Sequence, residues 1–101
     1  MNARKARSVD NSGKLDKLKR KYFKARKELE QTTNKTLRLQ IKEYVDDLKA
    51  EMGWILLDHG KYDEGLAIYK SLPWVTHGEA KFNGMSRALI EMGQPQNQVH
   101  R

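Results

Sequence analysis

Gly60 and Gly93 stand 33 residues apart, and the residues ahead of them run in parallel: Met52-Gly53 with Leu56-Leu57 before the first, Met85-Ser86 with Leu89-Ile90 before the second. A spacing in the low thirties is the period of stacked helix pairs, in which each unit buries against its neighbour a face it cannot bury alone. The echo therefore predicts an array of helices. Such an array offers a surface to a partner and brings no chemistry of its own.

Apolar periodicity divides the chain into four helices and two ends. Residues 1–13 mix Asn, Ser, Gly and basic side chains with almost nothing to bury, and are expected to form a flexible basic tail. Leu15, Leu18, Tyr22, Ala25 and Leu29 recur at steps of three and four, one stripe of a helix over 14–30. The next series, Leu37, Ile41, Tyr44, Leu48, Met52 and Ile55, sits in another frame, so a break is expected between Gln31 and Asn34, where Thr and Asn side chains can cap a new helix. That second helix, 34–59, should stop at Gly60, a residue free to take the left-handed conformation helices often need at their end. Its first half is apolar on one face, but Trp54, Ile55, Leu56 and Leu57 make it apolar all round, so further elements must cover that end.

Tyr62, Leu66, Tyr69 and Leu72 supply a third helix over 61–72, stopped by Pro73. A fourth, over 76–92, carries Phe82, Met85, Leu89 and Met92, and Thr76 with Glu79 three residues later has the spacing of a capping box at its start. Residues 94–101 are polar and are expected to be a second flexible tail. The predicted fold class is all-α: an N-terminal antiparallel helical hairpin, coiled-coil-like, continuing into a short helix array, about four helices in one domain over 14–93.

Charge is distributed unevenly. Residues 1–27 hold eleven basic and two acidic side chains, a net +9, whereas 28–101 hold nine and eleven, a net −2. Projected at 100° per residue, Lys17, Arg20, Lys24 and Lys27 lie opposite the apolar stripe of the first helix, with Phe23 near their edge. Cations on one ridge beside an aromatic are what binding to a nucleic-acid backbone asks for. A solvated face has the same pattern, and so does a surface resting on anionic lipid.

Other chemistry finds little to work with. The chain has no cysteine, and His59, His77 and His100 share no metal-ligand spacing. It also lacks a glycine-rich phosphate loop and a strained serine turn, so neither metal, cofactor nor catalytic role is expected. Asp46-Asp47 look like surface acids. The longest strongly apolar run, Trp54 to Leu57, is far short of the ~20 residues of a membrane span, and a cytoplasmic protein is expected.

Residues Asp46 to Gly93 resemble tetratricopeptide repeats (TPR). In that family a large apolar residue is followed by a small one on a first helix, and a Gly-x-aromatic turn leads into a second helix bearing a small residue, an aromatic and a closing proline. Met52-Gly53, Leu56, Gly60, Tyr62, Gly65, Tyr69 and Pro73 follow that order, and Met85, Ser86, Leu89 and Gly93 repeat its first half. Lys49 stands where the early tryptophan is usual, and Pro95 where the aromatic of a second turn would be.

The resemblance implies a protein-binding or peptide-binding inner surface. Its positions here are Asp47, Ala50, Trp54, Leu57 and Asp58 in the first unit and Ala80, Asn83, Arg87, Ile90 and Glu91 in the second, with Asp47, Trp54, Asp58, Asn83 and Arg87 carrying recognition. Arg87 and Asn83 would hold an acidic or backbone group beside Trp54. Alternatively, Trp54 fills the junction where the third and fourth helices meet the second. No helix follows in sequence to cover both sides of Phe82, Met85, Ile90 and Met92, which makes a homodimer through the fourth helix a further expectation.

Overall fold

The structure, a computed structural model, describes residues 2–93, with side chains from residue 13 onward. Met1 and the polar segment 94–101 lie outside the described residues. Four helices follow one another: α1 (Asn2–Gln31), α2 (Lys35–Asp58), α3 (Tyr62–Lys70) and α4 (Trp74–Gly93). Among the described residues there is no strand, and the protein is all-α.

The first helix begins earlier than its apolar stripe. Its backbone is helical from Asn2, where sequence reading expects a tail to residue 13. Once a packed segment has paid for nucleation, each added residue of a helix contributes its own hydrogen bond, and Ala3, Arg4, Lys5, Ala6 and Arg7 are all strong helix formers. At the other end, Thr32 Oγ1 donates to the Glu28 carbonyl at 2.6 Å. Arg38, one turn into α2, donates to the carbonyls of Leu29 at 2.6 Å and Thr32 at 2.9 Å, satisfying groups the end of α1 leaves orphaned.

Asn34 starts α2 by accepting from the Leu37 N–H at 2.9 Å. Its end is a Schellman turn: Gly60 has φ +80°, its N–H donates to the Leu57 carbonyl at 3.0 Å, and the Lys61 N–H reaches the Leu56 carbonyl at 2.8 Å. Along its length α2 buries two faces. The first, Val45, Leu48, Met52 and Ile55, packs against Leu18 and Ala25 of α1, with Leu15, Tyr22 and Ile41 at the margin. Val45 takes the place that periodicity gave to Tyr44, and both Tyr44 and Leu37 are exposed. Asp46 is not a surface acid: it is 1 % exposed, with Oδ2 held by Lys42 at 2.7 Å.

The second face joins α2 to α3 and α4 around Leu57, Leu66, Tyr69, Leu72 and Ala88. Tyr69 is its centre. The ring enters between Gly53 of α2 and Gly84 of α4, and its hydroxyl donates to the Ala50 carbonyl at 2.7 Å. A Cβ on Gly53 would sit 2.7 Å from ring carbon Cε2, and one on Gly84 would overlap the ring outright. Two glycines thus let two helix backbones close on one aromatic.

α3 stops two residues before its expected end. Leu72 precedes Pro73, which disfavours helical backbone there, and the Ser71 hydroxyl turns back onto the Ile68 carbonyl at 2.6 Å. Lys81 then caps the helix from α4: its buried Nζ donates to the carbonyls of Lys70 at 2.6 Å and Leu72 at 2.7 Å, with the Trp74 ring 5.0 Å away.

The expected capping box does not form. α4 starts at Trp74, its first turn closed by the His77 N–H on the Pro73 carbonyl at 3.0 Å, and the backbone then kinks at His77. Thr76 Oγ1 lies 2.7 Å from His77 Nδ1 instead of bonding the Glu79 N–H. The other ring nitrogen, Nε2, is 2.7 Å from Asp47 Oδ1. A carboxylate only accepts, so Nε2 carries the proton donated to Asp47, and in the neutral ring Nδ1 accepts from the threonine hydroxyl. This chain of three groups pins the first turn of α4 to the middle of α2.

Candidate functional site

Where α2 and α4 diverge they leave an open groove of about 450 Å³, lined by Ala50, Glu51, Trp54, Ile55 and Asp58 on one side and Ala80 and Asn83 on the other. Tyr69 closes its floor and Lys14 of α1 stands at its margin. Small residues at positions 50 and 80 keep it open.

Trp54 is 43 % exposed and does not fill the helix junction. Tyr69, Leu57 and Leu72, each at most 2 % exposed, occupy that space, so the neighbouring tryptophan is left on the wall of the groove. One face of its ring lies under the Arg87 guanidinium, 4.6 Å from the ring centre. Arg87 is itself fixed by Asp58 Oδ1 at 2.8 Å and Glu91 Oε2 at 2.9 Å. Partial burial disfavours the guanidinium charge, but the bonds from Glu91 and Asp58 outweigh it, and its pKa lies above the ordinary arginine value.

Of the five positions the sequence singled out, Trp54, Asp58 and Asn83 line one groove and Arg87 joins it through the indole and Asp58. Asp47 is separate, engaged two turns away with His77. Leu57, also expected on the inner surface, is 1 % exposed and belongs to the core. Arg87 is not available to an acidic ligand in the way expected, because two carboxylates of the same chain already hold it. Sequence reading missed Glu51 and Lys14. Glu51 lies three residues before Trp54, hence on the same side of α2, a signal that was present in the spacing; Lys14 comes from another helix and gave none.

The second candidate surface is the outer face of α1. Lys17, Arg20, Phe23, Lys24 and Lys27 are all exposed, and no carboxylate among the described residues pairs with any of the four cations. Phe23 stacks edge-on against Tyr22 with ring centres 5.4 Å apart, and Tyr22 receives a 2.8 Å bond from Arg26. A shallow depression lies among Phe23, Lys24, Arg26, Lys27 and Glu30.

On α4 the exposed apolar side chains are Phe82, Leu89, Ile90 and Met92, while Met85 packs on the inner cluster. No helix among the described residues is long and apolar enough to cross a membrane. No protein-family model matches this chain, and neither a curated protein nor a solved structure does.

Proposed function

We propose that this chain is a non-enzymatic, TPR-like interaction module of the cytoplasm that binds a protein or peptide segment in the groove between α2 and α4. One observation carries the reading: a half-exposed tryptophan, held in place by an arginine that is itself locked by two carboxylates, walls a groove with small residues at its base. An indole fixed in advance loses little side-chain freedom when a ligand packs on it, which is how buried aromatic anchors come to dominate binding energies. The packing of Tyr69 on Gly53 supports the repeat-like assignment, since both are positions that carried the resemblance; Gly84, on the other side of the ring, stands two residues before the Ser86 of the second copy and was not one of them.

The test is capture of partners by the full chain and by Trp54→Ala, each with and without nuclease. A partner retained by the wild type after nuclease treatment and lost with Trp54→Ala is the expected result; capture unaffected by the substitution would refute it.

A second reading, nucleic-acid binding by α1, is favoured by the row of cations around exposed Phe23 that have no carboxylate partner among the described residues. Retardation of DNA or RNA at low salt, steeply weakened by added salt and abolished by Lys17→Glu, Arg20→Glu and Lys24→Glu together, is what it requires. Absence of any low-salt retardation removes it. A homodimer through α4 is the partner we assign to its exposed apolar row of Phe82, Leu89, Ile90 and Met92.

A further inference from the structure

Along the exposed edge of α2, Asp47, Glu51, Trp54 and Asp58 follow one another at steps of four, three and four residues, so they form a single row. At a rise of 1.5 Å per residue that row is roughly 16 Å long. Its chemistry is three carboxylates, of which Asp47 lies outside the groove and is engaged by His77, and one indole. Glu51 makes no ion pair among the described residues, and the Asp58 side chain is 37 % exposed although it holds Arg87. Among the described residues two basic side chains of α4 reach this row: His77, on Asp47, and Arg87, which is turned onto the tryptophan ring and shared between Asp58 and Glu91. Lys14 at the margin is the remaining positive group.

We infer that the groove takes a basic peptide, one that places a lysine or arginine against Glu51 and a second near Asp58, with the intervening chain over Trp54. This rests on the groove being the binding site. The sign follows from the balance of charge: Arg87 is one cation shared between two carboxylates, so the trio with Asp58 and Glu91 keeps a net negative charge, and Glu51 adds a carboxylate with no ion pair among the described residues. A cation beside an indole and a carboxylate gains from both the ring's negative face and the ion pair. Glu51 and Asp58 are seven residues apart on a helix, about 10 Å, which an extended peptide covers in three residues. The Asn83 amide, on the opposite wall, offers a donor and an acceptor to the backbone of such a peptide.

The experiment is panning of a phage-displayed library of random 12-residue peptides on the full chain, with counter-selection on full-length Trp54→Ala. The counter-selection removes peptides held by basic α1, which both proteins share. Trp54 is half-exposed, so the variant keeps its fold, checked by circular dichroism. Peptides enriched in lysine and arginine, with pairs three positions apart, are expected, their affinity lowered on the order of tenfold by Glu51→Lys. Acidic or uncharged peptides that still need Trp54 would overturn this inference and leave the groove as a binding site. If no peptide distinguishes the wild type from Trp54→Ala, the groove itself is not a peptide site and both readings fall.

Discussion

Substituting Gly84 by alanine tests the packing that positions the groove. The new methyl would overlap Cγ, Cδ2 and Cε2 of Tyr69, and the ring has little room to retreat, because it lies so close to Gly53 on α2 that a Cβ there would come within 2.7 Å of it, and its hydroxyl is tethered to the Ala50 carbonyl. Overpacking of this kind costs about 1–3 kcal/mol, and a site closed on both sides belongs at the upper end. Alanine's better helix propensity returns about 1 kcal/mol. The expected net loss is therefore about 2 kcal/mol, a large share of the stability of so small a domain. Gly13→Ala provides the control: that glycine also sits inside a helix, but a Cβ there meets nothing within 4 Å, so the propensity gain should appear alone, as a stabilisation of about 0.5–1 kcal/mol. Urea unfolding followed by circular dichroism at 222 nm reads both, the midpoint moving in opposite directions with an unchanged slope. A Gly84→Ala protein as stable as the wild type would mean that α4 does not close on Tyr69, and the groove would lose its geometry.

Burial pushes the Tyr69 phenol from 10.0 up to about 12, with nearby Arg87 opposing and Asp58 assisting. Below pH 10 both folded and unfolded chains keep that proton; above it the unfolded chain releases its proton first, so stability should fall between pH 10 and 12 by on the order of 2 kcal/mol. Tyr69→Phe should cost about 1 kcal/mol at neutral pH and lose that share of the alkaline decline; an unchanged alkaline transition would count against it. Lys81→Met removes the buried ammonium from the Lys70 and Leu72 carbonyls, and about 2 kcal/mol should go with it, seen as a lower thermal midpoint. Phe82→Glu with Leu89→Glu should leave the fold intact and abolish any self-association seen by analytical ultracentrifugation, whereas a wild type that sediments as a monomer at high concentration would dismiss the dimer.

The four helices were legible because their limits are local. Asn34 caps α2 through its own side chain, Gly60 ends it through its own backbone, and Pro73 interrupts the chain without help from any distant group. The stripe of α1 followed from spacing alone, and so did Leu48, Met52 and Ile55 of α2, whereas Leu37 and Tyr44 of the same series are exposed and Val45 is buried in their stead. At the start of α4, expectation and structure part because a distant residue intervened. Thr76 would cap its own helix but for His77, which Asp47 draws in from thirty positions away. α3 loses two residues to a proline and a serine close by, and the freed carbonyls of Lys70 and Leu72 are met by a lysine eleven and nine residues further on.

The same division runs through the groove between α2 and α4. Composition and periodicity by themselves determined an all-helical chain with a strongly basic first helix and an aromatic set among acids on the second, because helix formation and charge placement depend on near neighbours. Only the tertiary structure decided that Tyr69 would fill the junction and leave Trp54 in solvent, since that outcome depends on two glycines in different helices meeting at one ring. It also decided how the charges of the groove are paired. Arg87 reads as an anion receptor in one dimension, and becomes a clamp on an indole once folding brings Asp58 from 29 residues upstream to within 2.8 Å of its guanidinium.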